Sequence, residues 1–455
     1  MVTAAAILLR LIFIFWFPGI TTDSFVYGDV AKNWLQHGVY GISYAGGILP
    51  TYIRLPGYPA FLAAIFAIFG MEHYRAVLIV QLFVDIGTCF LIADLARRVV
   101  GRQAARTAFL LAAVCPFFAN YVAAALTETL EIFFTALSLN LAIAAIEALD
   151  GTGFLAWIGC GIATGAAILL RPDGGILLVA IELFLLGSAV QHRGKSRPVL
   201  HFILAAFVVG TISIAPLVPW TLRNLRTMHQ FQPLAPRYAN EEGEFVPMGF
   251  NHWVKTWIAD YASVEEIYWP VPGETVEPEK LPTRAFDSPQ QREQTLQLLD
   301  DYNQALHISP AMDARFAELA SERIRHAPLR YYLWLPALRI ADMWLRPRTE
   351  MLPSDSRWWE FNDDPKWSAL AVCLGLVGVF YIAAGLTGLT RRRIFQHLGL
   401  LLTFVVVRSL FLGTLENPEP RYVLECYPIL IVLAAAAFQK RSSERIGPPA
   451  GGYRT

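Results

Sequence analysis

The chain has 455 residues, 55% of them hydrophobic and 16% charged, with a mean hydropathy of +0.43. So low a charged fraction, against roughly 25% in soluble domains, describes a multi-pass membrane protein rather than a soluble one. Lys plus Arg (37) balances Asp plus Glu (37), so no net basic field recruits nucleic acid.

Crossing a hydrocarbon core takes about 20 apolar residues. Runs of that kind fall near 2–20, 75–96, 106–125, 129–148, 154–170, 174–190, 199–219, 367–389, 396–415 and 421–438. The expected fold is an all-α polytopic membrane protein of about ten transmembrane helices. The first run holds Arg10 and lacks a small-x-small cleavage site, so it reads as a retained span, with Arg10 expected to snorkel to the cytoplasmic interface. Cys89, Cys115, Cys160, Cys373 and Cys426 lie in or beside apolar runs without paired spacing, which suits packing better than a disulfide or zinc site.

Basic clusters orient the spans. Arg97, Arg98, Arg102 and Arg106 form one, Arg193, Lys195 and Arg197 a second, Arg391, Arg392 and Arg393 a third, and Lys440, Arg441 and Arg445 a fourth. With ten spans and a cytoplasmic N-terminus all four fall inside, while the loop around Asp150 carries no positive charge. The organisation predicted is an N-terminal membrane module (1–220) with a first outer loop at 21–74, then an extracytoplasmic soluble segment (221–366), mixed but mostly helical. C-terminal membrane helices (367–438) and a cytoplasmic tail (439–455) complete it. "RLPGYPAFLAAIFAIFG" in the first loop is short for a span and interrupted by Pro56 and Pro59, and "HAPLRYYLWLPALRIADMWL" near 326–345 mixes aromatics with Arg330 and Arg339; both suit interfacial helices.

The stretch "TTDSFVYGDVAKNWLQHGVYG" (21–41) places two acids beside the first span. A helix over 23–37, stopped by Gly38, aligns Asp23, Tyr27, Val30 and Trp34 on one stripe and turns Asp29 elsewhere, towards solvent. The ordinary use of Asp23 would be a first-turn carboxylate worth about 0.3–1 kcal/mol. Other polar residues gather at the same outer face: Arg54, Glu128 and Glu131, Arg171 and Asp173, Arg223, and Glu416, Glu419 and Arg421. Arg408 lies inside a span, as a functional group or as a buried ion pair with Glu416 or Asp85.

Guanidinium groups bind phosphate by charge-assisted, often bidentate hydrogen bonds, and a carboxylate beside them can act as general base on a hydroxyl. Together they describe transfer of a sugar from a lipid phosphate to an acceptor hydroxyl; no Walker-type phosphate loop is present. The alternative is a polytopic transporter or lipid-linked sugar flippase without transferase activity, although transporters tend to bind at the bilayer midplane between repeated halves. A catalytically inactive scaffold is a third reading.

"DSFVYGDVAKNWLQHG", "RLPGYPAFLA", "TETL", "LLRPDG", "PWTLRN" and "EPRYVLECYP" occur in the order seen in GT-C membrane glycosyltransferases. The chain resembles the bacterial family 39 and dolichyl-phosphate-mannose protein mannosyltransferase-like proteins, which are related to the lipid A aminoarabinose transferases. The resemblance covers 1–230 well and 366–438 more loosely. It implies Asp23 as catalytic base with Tyr27 in the accompanying aromatic position and Glu128 as a second acid. Arg54, Arg171, Arg223, Arg421 and Tyr422 become substrate-binding residues, among which an arginine contacts the lipid phosphate. It further implies inverting transfer of a hexosyl or pentosyl group from a polyprenyl-phosphate sugar, undecaprenyl or decaprenyl, to a glycan, lipid or protein hydroxyl. The reaction would face outward from the bacterial cytoplasmic (inner) membrane. Many superfamily members have an Asp-Glu doublet where this chain has Asp23-Ser24, so dependence on Mg or Mn is left open and no metal ligand is assigned.

Overall fold

The structure, a computed structural model, describes residues 2–148, 153–192, 196–362, 364–391 and 395–439. Asp150, Arg193, Lys195, Arg392, Arg393, Lys440, Arg441, Arg445 and the predicted tail fall outside the described residues, apart from residue 439. The chain runs through α1 (Val2–Trp16), α2 (Thr22–His37), a hairpin of β1 (Gly41–Tyr44) and β2 (Gly47–Pro50), α3 (Gly57–Phe69) and α4 (Tyr74–Val99). There follow α5 (Arg102–Ala113), α6 (Pro116–Val122), α7 (Glu128–Glu147), α8 (Phe154–Leu170), a 3₁₀ turn Pro172–Gly174, α9 (Gly175–Gln191), α10 (Ser196–Ile214) and α11 (Leu217–Met228). The segment predicted to lie outside, the outer segment below, holds α12 (Met248–Lys255), the single turn α13 (Tyr261–Ser263), α14 (Pro289–Ala305), α15 (Pro310–His326) and α16 (Leu335–Leu345). α17 (Pro365–Leu389), α18 (Leu398–Gly413), a 3₁₀ segment Pro420–Cys426 and α19 (Tyr427–Ala437) close the chain.

Among the described residues six helices are long and apolar enough to cross a membrane, or seven if the bent pair α5 and α6 forms one span. The shorter apolar helices α1, α8 and α18 fall on predicted spans, and α3 on the run read as too short. The predicted span 106–125 is not one straight helix, because α5 and α6 meet at 52°. Pro116, at the first turn of α6, cannot continue the hydrogen-bond ladder of α5. Arg10 turns inward and donates to two carbonyls at that break, which corrects its expected snorkelling. It is fully buried, donates to Asp85 Oδ2 on α4 at 2.8 Å and to the Ala112 carbonyl at 3.0 Å, and also bonds the Ala113 carbonyl. A fully paired guanidinium can stay at that depth and tie α1, α4 and α5 together.

The outer segment has an apolar core of its own, built on Phe250, Trp253, Trp257, Leu299, Tyr302 and Phe316. Ser288 and Ser309 cap α14 and α15, each followed by Pro at the first helical position. In the predicted interfacial stretch a π-turn over Arg330–Trp334 leads into α16 and leaves Leu329, Tyr332, Leu333 and Trp334 exposed. Arg339 instead is buried and donates to the carbonyls of Ile258 (2.8 Å) and Lys255 (2.5 Å), anchoring α16 to the outer segment while α16 packs on α18.

Candidate active site

The residues that bring Asp23 to the cavity lie in the loop after α1. Gly19 donates to the Ala123 carbonyl at 2.7 Å and accepts from the Ala125 amide at 3.1 Å, which ties this loop to the one preceding α7. In α2, begun at Thr21 and ended by Gly38 at φ 69°, the Ser24 hydroxyl accepts the Thr21 amide at 3.0 Å. The position after Asp23 is thus a buried helix cap, not a second acid facing the site. Asp23 makes no cap; its Oδ1 accepts Arg54 Nη2 at 2.7 Å. Tyr27, one turn on, lies under Arg54 (5.6 Å from ring centroid to guanidinium carbon) and edge-on to Tyr58, and burial pushes its phenol pKa up to about 12. Asp29 is not simply solvated: it accepts the Ser43 amide (2.6 Å) and hydroxyl (2.8 Å) and fixes the hairpin to α2.

Two glycines bring the next groups close. A Cβ at Gly57 would meet the Leu169 carbonyl oxygen at 2.6 Å and one at Gly174 the Ala167 carbonyl oxygen at 2.4 Å. The absence of both side chains lets the loop carrying Arg54 and the turn carrying Asp173 close on the C-terminal end of α8, where Arg171 sits. From the far end of the chain the 3₁₀ segment delivers Arg421 and Tyr422. Arg171 lies 3.6 Å from Glu128, 3.5 Å from Glu131 and 3.2 Å from Asp173. Arg421 lies 3.4 Å from Glu128 and 2.7 Å from Glu419, and both guanidiniums stand over the Tyr422 ring, at 4.7 and 5.5 Å.

These groups open on one cavity of about 880 Å³. Asp23, Tyr27, Arg54, Glu128, Arg171, Arg421 and Tyr422 all line it, which unites seven of the eight residues singled out in the sequence. Arg223 is the exception. It donates to the carbonyls of Thr51 (2.7 Å) and Tyr40 (2.5 Å) and stacks on Tyr40 and Trp220, outside the cavity lining, where its contacts pack the first loop. One wall is apolar, from Ile176 and Val179 on α9 to Val407, Phe411 and Leu412 on α18. The outer segment closes another side with Leu234–Ala239 and Tyr268. There Arg237 pairs with the buried Glu416 and stands 5.4 Å from the Tyr238 ring, whose phenol burial raises to about 12.

Sequence reasoning missed Arg237, Tyr238 and Tyr268, which carry no motif and come from a segment without a matched pattern. It also missed Glu425, though the residue sits inside the quoted "EPRYVLECYP". Arg408 proves to be a buried ion pair, but with Asp173 (3.0 Å) and Glu425 (2.8 Å) rather than with Glu416 or Asp85. Glu350, in the loop after α16, is half-buried with both carboxylate oxygens turned away from solvent and without a side-chain partner; this desolvation pushes its pKa up to about 7 against the opposing pull of its own backbone amide, Arg348 and Arg421.

Residues 54–220 match the family of dolichyl-phosphate-mannose-protein mannosyltransferases. Among solved structures, the oligosaccharyltransferase of Archaeoglobus fulgidus tethered to an acceptor peptide is 12% identical with a TM-score of 0.52; the alignment covers 95% of this chain and 48% of that one. ArnT from Cupriavidus metallidurans bound to undecaprenyl phosphate is 14% identical with a TM-score of 0.43, over 94% of this chain and 77% of that one. No curated protein matches the sequence. The family match is confined to 54–220, and the likeness to the oligosaccharyltransferase is one of fold along the chain; with its apolar helices, the protein is a multi-pass, all-α membrane protein.

Proposed function

We propose that the protein is a glycosyltransferase that moves a sugar from a polyprenyl-phosphate donor to an acceptor hydroxyl, with Asp23 as general base. The observation that carries this reading is the shared cavity, in which the Asp23–Arg54 pair and the Arg171 and Arg421 guanidiniums face one space with an apolar wall from α9 and α18. A lipid-linked phosphate needs both halves of that lining: guanidiniums for the phosphate and hydrocarbon for the chain. The family matched by 54–220 is described by a dolichyl-phosphate sugar, which is the same donor class.

In the step this implies, Asp23 takes the proton of the acceptor hydroxyl as its oxygen attacks the anomeric carbon. The bond from that carbon to the phosphate oxygen breaks, and the electron pair leaves on the phosphate, where Arg171 and Arg421 stabilise the growing charge. A single displacement inverts the anomeric carbon. Glu128, held between both arginines, orients them, and Arg54 fixes the direction of Asp23.

The outward-facing site is also part of the proposal, and α7 supports it. Glu128 begins this 20-residue helix at the cavity, while Glu147 at its other end pairs with Arg98 of the basic cluster at 2.5 Å. A helix of that length spans about 30 Å, so the cavity and the basic cluster belong to opposite membrane faces, and positive loops stay inside. A bacterial inner membrane, where an undecaprenyl-type donor would be met, is the location that belongs to this proposal.

The test is lipid and glycan analysis of a strain lacking the protein. Expected is accumulation of a polyprenyl-phosphate sugar together with loss of that sugar from an envelope glycan, lipid or protein, reversed by the wild-type chain. Unchanged lipid-linked sugars and unchanged envelope glycans would overturn the reading.

A further inference from the structure

Behind the cavity the formal charges do not balance. Glu128, Glu131, Asp173, Glu419 and Glu425 join Arg171, Arg408 and Arg421 in one continuous network, with contacts from 2.7 to 3.6 Å. Five carboxylates meet three guanidiniums, a surplus of two negative charges. The neighbouring Asp23–Arg54 and Glu416–Arg237 pairs are each neutral and supply nothing. The most exposed member, Arg171, has 20% of its side chain accessible, so water screens the surplus poorly.

The surplus has a location. Glu131 from α7, Asp173 from the turn before α9 and Glu425 from the segment before α19 each place a carboxylate oxygen within 4.8 Å of the others. Arg408 occupies Asp173 Oδ2 and Glu425 Oε2, and Arg171 Nε lies by Asp173 Oδ1. Glu131 Oε1 has only the long 3.5 Å contact with Arg171 Nε, and neither it nor Glu425 Oε1 accepts a hydrogen bond, in side chains only 4% and 2% exposed. Buried carboxylate oxygens that make no hydrogen bond call for another source of positive charge, and a bound cation supplies one.

We propose that Glu131, Asp173 and Glu425 form a divalent-cation site. All the donors are hard carboxylate oxygens, which suits Mg²⁺ or Mn²⁺ rather than a nitrogen- or sulfur-loving ion. Two positive charges match the surplus, and Asp173 also lines the cavity, which provides a path of entry. The site is separate from the Asp23–Arg54 pair. Once the network is neutral, Arg171 and Arg421 are free to attract an anion; that consequence rests on the transferase reading, while the cation site does not.

The test uses the full-length protein in lipid nanodiscs, stripped with chelator and titrated with MnCl₂ alone, with free Mn²⁺ read by electron paramagnetic resonance. One saturable site is expected, with a higher melting temperature on binding. Glu425→Gln and Glu131→Gln keep side-chain shape and each remove one surplus charge, so both should fold as well as wild type without metal. Each should weaken Mn²⁺ binding by about tenfold or more and lose the metal-induced rise in melting temperature. Absence of saturable binding in the wild type, which would mean that protons carry the compensation, overturns the proposal. So does unchanged affinity in both glutamine variants, or loss of binding in Asp23→Asn alone. A chain that binds Mn²⁺ here but leaves polyprenyl-phosphate sugars unchanged in the deletion strain would refute the transferase reading and leave the cation site standing.

Discussion

Asp23→Asn separates catalysis from folding. Asp23 keeps 42% of its side chain accessible and touches Arg54 through one 2.7 Å contact, while Thr21 and Ser24 cap α2 without it. An ion pair that exposed contributes at most about 1 kcal/mol, and asparagine still offers Arg54 an acceptor oxygen. The melting temperature of the purified variant should therefore stay close to wild type. Activity should not, because a general base contributes about 10²–10⁴ in rate, or roughly 3–5 kcal/mol of the barrier. In a deletion strain complemented with Asp23→Asn, the polyprenyl-phosphate sugar should accumulate as it does without the gene, at normal protein level in the membrane. Wild-type sugar incorporation by a folded Asp23→Asn protein would refute the assignment of the base. An unfolded variant would instead refute the claim that the Asp23–Arg54 pair is structurally minor.

Arg223→Ala should behave in the opposite way: it removes two hydrogen bonds to carbonyls of the first loop and contacts with two aromatic rings, costing about 2 kcal/mol of stability. Thermal melting should drop while affinity for a polyprenyl phosphate stays unchanged. Arg10→Leu leaves Asp85 buried without its partner and should cost about 3–5 kcal/mol, with Arg10→Leu/Asp85→Leu recovering part of the melting temperature. Glu350 predicts a pH slope. Burial raises its pKa from 4.5 to about 7, so between those values the folded chain keeps a proton that the unfolded chain has lost, and stability falls as pH rises through that window by up to ~3 kcal/mol. Glu350→Gln should flatten that part of the melting-temperature profile; an unchanged slope would mean that Glu350 is not its source.

What the sequence made legible followed from long, regular signals. Ten apolar runs, the helix of 23–37 and its Gly38 stop all rest on periodicity and on one residue type able to adopt φ 69°. The motifs at span ends located seven cavity residues, because a bundle of spans brings chain-distant ends to a common depth whatever its finer packing. The failures concern charges whose partners lie far away in sequence. Arg10 looked able to snorkel because nothing local revealed Asp85 or the carbonyls it meets at the α5–α6 break, 75 and more residues away. Arg223 stood inside a quoted motif, yet its contacts are carbonyls of the first loop, 172 and 183 residues earlier. Hydropathy likewise gave α5 and α6 as one span, since Pro116 changes direction without changing polarity.

The outer segment adds a constraint that no motif carried. Leu234–Ala239 reaches the cavity, and the Arg237–Glu416 pair joins it to the loop after α18, whose helix also supplies the apolar wall. A donor lying along α9 and α18 would place its phosphate at Arg171 and Arg421, leaving the side near Tyr238 and Tyr268 for the acceptor. The two substrates would then be read by different parts of the chain. The membrane helices would select a lipid phosphate by charge and hydrocarbon, and the outer segment would select the acceptor with aromatic rings and one arginine. On this arrangement the matched residues 54–220 would hold the donor phosphate through Arg171, with Glu128 beside it, and would orient the base through Arg54. Substitutions at Tyr238 and Tyr268, which line the cavity from this segment, would then change acceptor use while leaving affinity for a polyprenyl phosphate unchanged.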